Sequence, residues 1–137
     1  MDTKEYLQAR KSPDWKFNSV VEDDSFLSVN RIHPLKQKQV KSIVDVAKKD
    51  SHVKTIRIFG SSIRYDCDIT SDLDICIDWN EDCYDQDGVL KSFTLNLRKA
   101  ISRITGGNAD VVNGAYLKGT VVEEAARNGV LVYEHNV

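Results

Sequence analysis

No stretch of the chain approaches the roughly 18 consecutive apolar residues that a membrane span needs, and no charged segment runs into an apolar one near its start. Neither membrane crossing nor secretion is therefore expected. Cysteine is sparse: Cys67, Cys76 and Cys83 make an odd number with no CxxC and no Cys/His spacing. That excludes a disulfide framework and a zinc site, and makes the reducing cytoplasm the expected compartment. Charge of one sign is also lacking. Nineteen Lys and Arg against twenty-one Asp and Glu leave a net charge of -2, without the basic excess of a nucleic-acid binder. The basic clusters at 36–49 and 98–103 read as solvated helix faces. There is no internal repeat, low-complexity tract or linker, and 137 residues suffice for one core but not two.

What is there centres on residues 56–78, IRIFGSSIRYDCDITSDLDICID. Successive strand side chains point to opposite faces, so Asp72 and Asp74 share one face while Leu73, Ile75 and Ile77 share the other. Two carboxylates one strand period apart repel each other unless a cation or donors neutralise them. Hard divalent cations suit them, Mg²⁺ above all, with substrate phosphates completing the shell. Eleven residues before Asp72 stands Ser61, in the turn Gly60-Ser61-Ser62 that leaves the preceding strand. A glycine there lets backbone N–H groups approach an anion, and the two hydroxyls add donors. A phosphate cradle beside a metal site is what phosphoryl or nucleotidyl transfer requires.

Around this stretch the periodicity is clear. Val40, Ile43, Val44 and Ala47 recur at helical spacing, predicting a helix over 34–49 with its lysines on the wet face. Strands are expected at 53–59 and 73–78, an acidic solvated loop at 80–88, and a helix over 88–104 carrying Leu90, Phe93, Leu97, Ile101 and Ile104. Gly106-Gly107-Asn108 stops that helix. A short strand at 109–112, a helix over 116–127 and a strand at 130–133 close the chain. Residues 1–33 form an extension packing on a domain of 34–137. In it Trp15, Phe17 and Phe26 give apolar content without a sustained period.

The order strand, Gly-Ser turn, Asp-x-Asp strand, helix, Asp-bearing strand resembles the nucleotidyltransferase superfamily of DNA polymerase β-like enzymes, and within it the minimal nucleotidyltransferase group. The matching residues are Gly60 and Ser61, Asp72-Leu73-Asp74 after ten further residues, and Asp110. Arg64 falls where that group often carries an arginine, and EEAARNGVLVYE, 123–134, is similar to its last helix and strand. The resemblance implies an α/β (α+β) fold with a small mixed sheet flanked by helices. It further implies that Asp72 and Asp74 hold Mg²⁺, and that Asp110 completes a two-metal site and serves as general base. Gly60, Ser61 and Ser62 would cradle phosphates, with Arg64 as charge partner. The implied activity is transfer of AMP from ATP to a hydroxyl of a protein or small molecule. Many members of the group act as antitoxins to an all-helical HEPN-type partner. The alternative is a binding module that neutralises its partner by contact alone.

Other residues carry blander readings. A catalytic histidine is not expected, since His33, His52 and His135 fall in loops or termini. Cys76 reads as a small packed thiol, and Asp78 as a solvent-facing strand end.

Overall fold

A computed structural model describes residues 2–12 and 14–135. Met1, Pro13, Asn136 and Val137, which fall within the expected extension and domain, lie outside the described residues. Four strands, β1 (Val53–Phe59), β2 (Leu73–Trp79), β3 (Ala109–Asn113) and β4 (Val130–Glu134), form one mixed sheet in the order β3-β2-β1-β4. β1 pairs antiparallel with both β2 and β4, while β2 and β3 run parallel. The parallel pair requires a crossover, which α3 (Leu95–Thr105) supplies. The remaining helices are α1 (Thr3–Ala9), α2 (Pro34–Lys48) and the short α4 (Glu123–Arg127). Among the described residues no helix is long and apolar enough to cross a membrane.

The alternation of β2 decides which face is dry. Leu73, Ile75 and Ile77 are fully buried and meet Val40, Ile43, Val44 and Ala47 of α2 and Leu97 and Ile101 of α3 in the main core. Opposite, a smaller cluster of Phe59, Cys76, Leu117 and Ala126 covers only the middle of the sheet. The ends of the sheet on that face are thereby left to polar side chains. Phe26, Val29 and Ile32 of the N-terminal segment enter the main core, and Leu27 N–H donates to the Val132 carbonyl on the edge strand β4.

Two helices begin later than their periodicity suggests. Residues 88–91 are not helical: Gly88 bends with φ +77°, Lys91 N–H donates to the Cys83 carbonyl, and Tyr84 bridges Leu90. The reason is Asp85, whose carboxylate accepts from the N–H groups of Asp87 and Val89 and so fixes a turn that competes with the helix. A 3₁₀ turn, Ser92–Thr94, then leads into α3. Likewise 116–127 is helical only from Glu123. Gly119 takes φ +82°, outside the helical basin, and Thr120 Oγ1 bonds back to the Leu117 carbonyl.

Gln37 of α2 ties the N-terminal segment down. It is 0% exposed; its Oε1 accepts from Val20 N–H at 2.7 Å, and its Nε2 donates to the Asn18 carbonyl at 2.9 Å and the Ile32 carbonyl at 3.0 Å. Truncation would remove all three bonds and strand the carbonyl of the fully buried Ile32. Gln37→Ala is expected to cost about 1–3 kcal/mol in urea unfolding, with amide exchange at Val20 accelerating before that of the core strands.

Candidate active site

Each carboxylate is positioned by strand register. Phe59, the last residue of β1, pairs with Asp74, so the turn leaving β1 (Gly60–Ile63) comes down beside that carboxylate. Gly60 has φ +73°, and a Cβ there would collide with Asp74 Oδ2. Bare backbone and carboxylate are thus in direct apposition, which only glycine permits. On the other side of β2, the parallel register pairs Asp74 with Asp110 of β3. Asp72 lies just before β2 and is exposed.

Asp72 is held through its neighbour. The Ser71 carbonyl accepts from Lys36 Nζ at 2.6 Å and from Asn108 Nδ2 at 3.2 Å, while Leu73 N–H donates to the Asn108 carbonyl. Asp68 stiffens the preceding loop by accepting from Thr70 and Ser71, and those bonds hold its carboxyl below the usual range.

The electrostatics join the three aspartates. Burial pushes the Asp74 carboxyl up, and the charges of Asp110 and then Asp72 push it further; Arg64 opposes them. Like charges are therefore converging on a half-buried carboxylate, the situation a divalent cation relieves. A donor set of three carboxylates suits magnesium. Among the described residues, however, no three Asp, Glu, His or Cys side chains are gathered tightly enough to hold a metal ion as they stand.

The phosphate-facing candidates divide. Gly60 and Ser61 are half-buried at the turn, and Arg64 is exposed, 3.5 Å from Asp66 Oδ1. Ser62 is 0% exposed; its Oγ has no hydrogen-bond partner among the described residues, and its carbonyl accepts from His33 N–H. Its side chain is turned into the protein rather than toward an anion.

Asp78 and Lys36 depart from the sequence reading, while Cys76 is the packed thiol it expects. Asp78 is not a free strand end: it accepts from Thr55 Oγ1 at 2.6 Å and pairs with Arg57 at 3.2 Å. Cys76 is buried, and burial and then Asp78 push its thiol up to about 11, far from a reactive thiolate. Lys36, assigned to the wet face of α2, is 3% exposed. The signal was present: Lys36 lies four residues before Val40 and seven before Ile43, on the apolar stripe rather than opposite it.

Residues 41–137 match the family model described as polymerase beta, nucleotidyltransferase. No curated protein matches the chain.

Two substitutions test this geometry. Because the folded-state pKa of Asp74 is raised, its ionisation opposes folding. The penalty is absent below the ordinary carboxylate range and grows as pH rises through the raised value. Asp74→Asn is expected to melt higher than wild type at pH 7 without divalent cation, the difference closing as pH falls. Gly60→Ala is expected to cost about 1–2 kcal/mol for its left-handed backbone, plus a collision term. That term should disappear in an Asp74→Ala background, as a double-mutant cycle in urea would reveal.

Proposed function

The chain belongs to the polymerase β nucleotidyltransferase family, and on that footing we propose that it transfers a nucleoside monophosphate, AMP from ATP, to a hydroxyl acceptor. The observation that carries the reading is the double register of Asp74, which faces the Gly60 turn on one side and Asp110 on the other. Phosphoryl and nucleotidyl transfer depend on positioning and charge neutralisation more than on covalent chemistry by the protein.

In this reading, backbone N–H groups at Gly60 and the Ser61 hydroxyl receive the leaving phosphates, and Arg64 adds positive charge beside them. Asp72 and Asp74 are the residues that would hold magnesium, with Asp110 completing the set. Bound magnesium supplies countercharge to the phosphates and to the oxygens entering and leaving phosphorus. Asp110, exposed on β3, takes the proton of the acceptor hydroxyl as its oxygen bonds to the α-phosphorus. The bond from the α-phosphorus to the pyrophosphate oxygen breaks, and pyrophosphate departs along the turn.

The acceptor we favour is a hydroxyl on a protein partner of the all-helical HEPN type, with this chain as the antitoxin. Incubating the protein with Mg²⁺, labelled ATP and a co-encoded helical partner tests both parts. Labelled partner with wild type and none with Asp72→Ala/Asp74→Ala is the expected result. Equal neutralisation of the partner by both proteins, without label, would mean that contact alone suffices.

A further inference from the structure

Beside the Gly60 turn lies a cleft of about 470 Å³ that the transfer chemistry leaves unused. It is lined by Tyr6, Arg10, Trp15, Lys16, Phe17 and Tyr65, with His33 at its back. Every lining residue but Tyr65 precedes Lys41, where the family match begins, so the N-terminal segment builds this cleft. Aromatic rings and two cations line it, and no carboxylate does, in a chain whose net charge is -2.

The walls are ordered by contacts among themselves. Tyr6 and Trp15 meet edge to face at 5.6 Å, and Phe17 lies 5.2 Å from the His33 ring. The Arg10 guanidinium sits 5.0 Å from the centre of the Tyr65 ring. Its Nε is buried and has no acceptor among the described residues. An aromatic cleft with an unmet cationic donor matches a flat heterocycle attached to an anion.

The cleft also adjoins the turn through two of its lining residues, Tyr65 and His33. Tyr65 follows Arg64 directly, and His33 N–H donates to the Ser62 carbonyl at 2.7 Å, tying the back wall to the turn. Asp110, which serves the acceptor, lies on β3, across β2 from the strand that carries the turn. The cleft therefore borders the donor side. We propose that it holds the base of the donor nucleotide, whose phosphates face the Gly60 turn. This inference rests on the nucleotidyl-transfer reading and extends it: the N-terminal segment sets the recognition of the donor.

Calorimetric titration of the full chain with ATP and with inorganic tripolyphosphate, both in magnesium, separates the two. Trp15→Leu and Tyr65→Leu are each expected to weaken ATP binding by about tenfold, the scale of one lost base stack. Both should leave tripolyphosphate binding and the melting temperature unchanged. Unaltered ATP binding by both variants overturns the cleft assignment while leaving the transfer reading intact. Equal loss of ATP and tripolyphosphate with an unchanged melt also overturns it, since the rings would then be acting on the turn. Failure of the wild-type chain to bind either ligand removes the transfer reading, and the cleft assignment with it.

Discussion

The site depends on one close approach: the backbone of Gly60 lying against the carboxylate of Asp74. Everything that fixes it is sheet geometry. The antiparallel register of β1 on β2 sets which residue ends opposite Asp74, and the left-handed glycine bends the chain away before a side chain can intervene. A slip of one residue would send Asp74 into the core face and bring Leu73 or Ile75 out. The fully buried row Leu73, Ile75, Ile77 forbids that slip, because each belongs to the main core. Hydrophobic burial on one face of β2 thus enforces the placement of charge on the other.

The charge arrangement is costly by itself. Asp74 is half-buried with two like charges near it, and Arg64 offsets them only from an exposed position. The fold tolerates this because its support lies elsewhere, in the α2–α3 face of the sheet. A site that opposes its own stability in the absence of ligand gains affinity for whatever neutralises it. The Lys36 and Asn108 donors serve the same end differently: they bind a backbone carbonyl, fixing the loop before Asp72 without spending their capacity on the carboxylates.

Much of this was legible in the sequence, because strands and their alternation are period-two signals and β1 and β2 are strongly patterned. The α2 helix, the strand 53–59 and the α3 stop at Gly106 follow the same logic. The starts of α3 and α4 were not legible. The apolar spacing through Leu90 and Phe93 continues a helical stripe, while a single side chain, Asp85, diverts the backbone by local hydrogen bonding that periodicity cannot register. The inward Ser62 was hidden because a turn's chemistry names its donors but not their directions. Polarity alone puts Lys36 on the wet face and gives no sign of Gln37: both positions belong to the buried stripe, and their polar ends find backbone partners because the N-terminal segment and the loop before Asp72 fold over α2.

That overlay bears on where this domain can be cut. A family boundary at residue 41 would fall inside α2 and would discard Phe26, Val29 and Ile32 along with the amide of Leu27 that caps β4. The excised piece would present an uncovered apolar wall beside a strand edge with open hydrogen-bonding groups, a combination that recruits other chains into intermolecular sheets. The segment ahead of the recognisable domain is therefore as much a guard against aggregation as a part of the core.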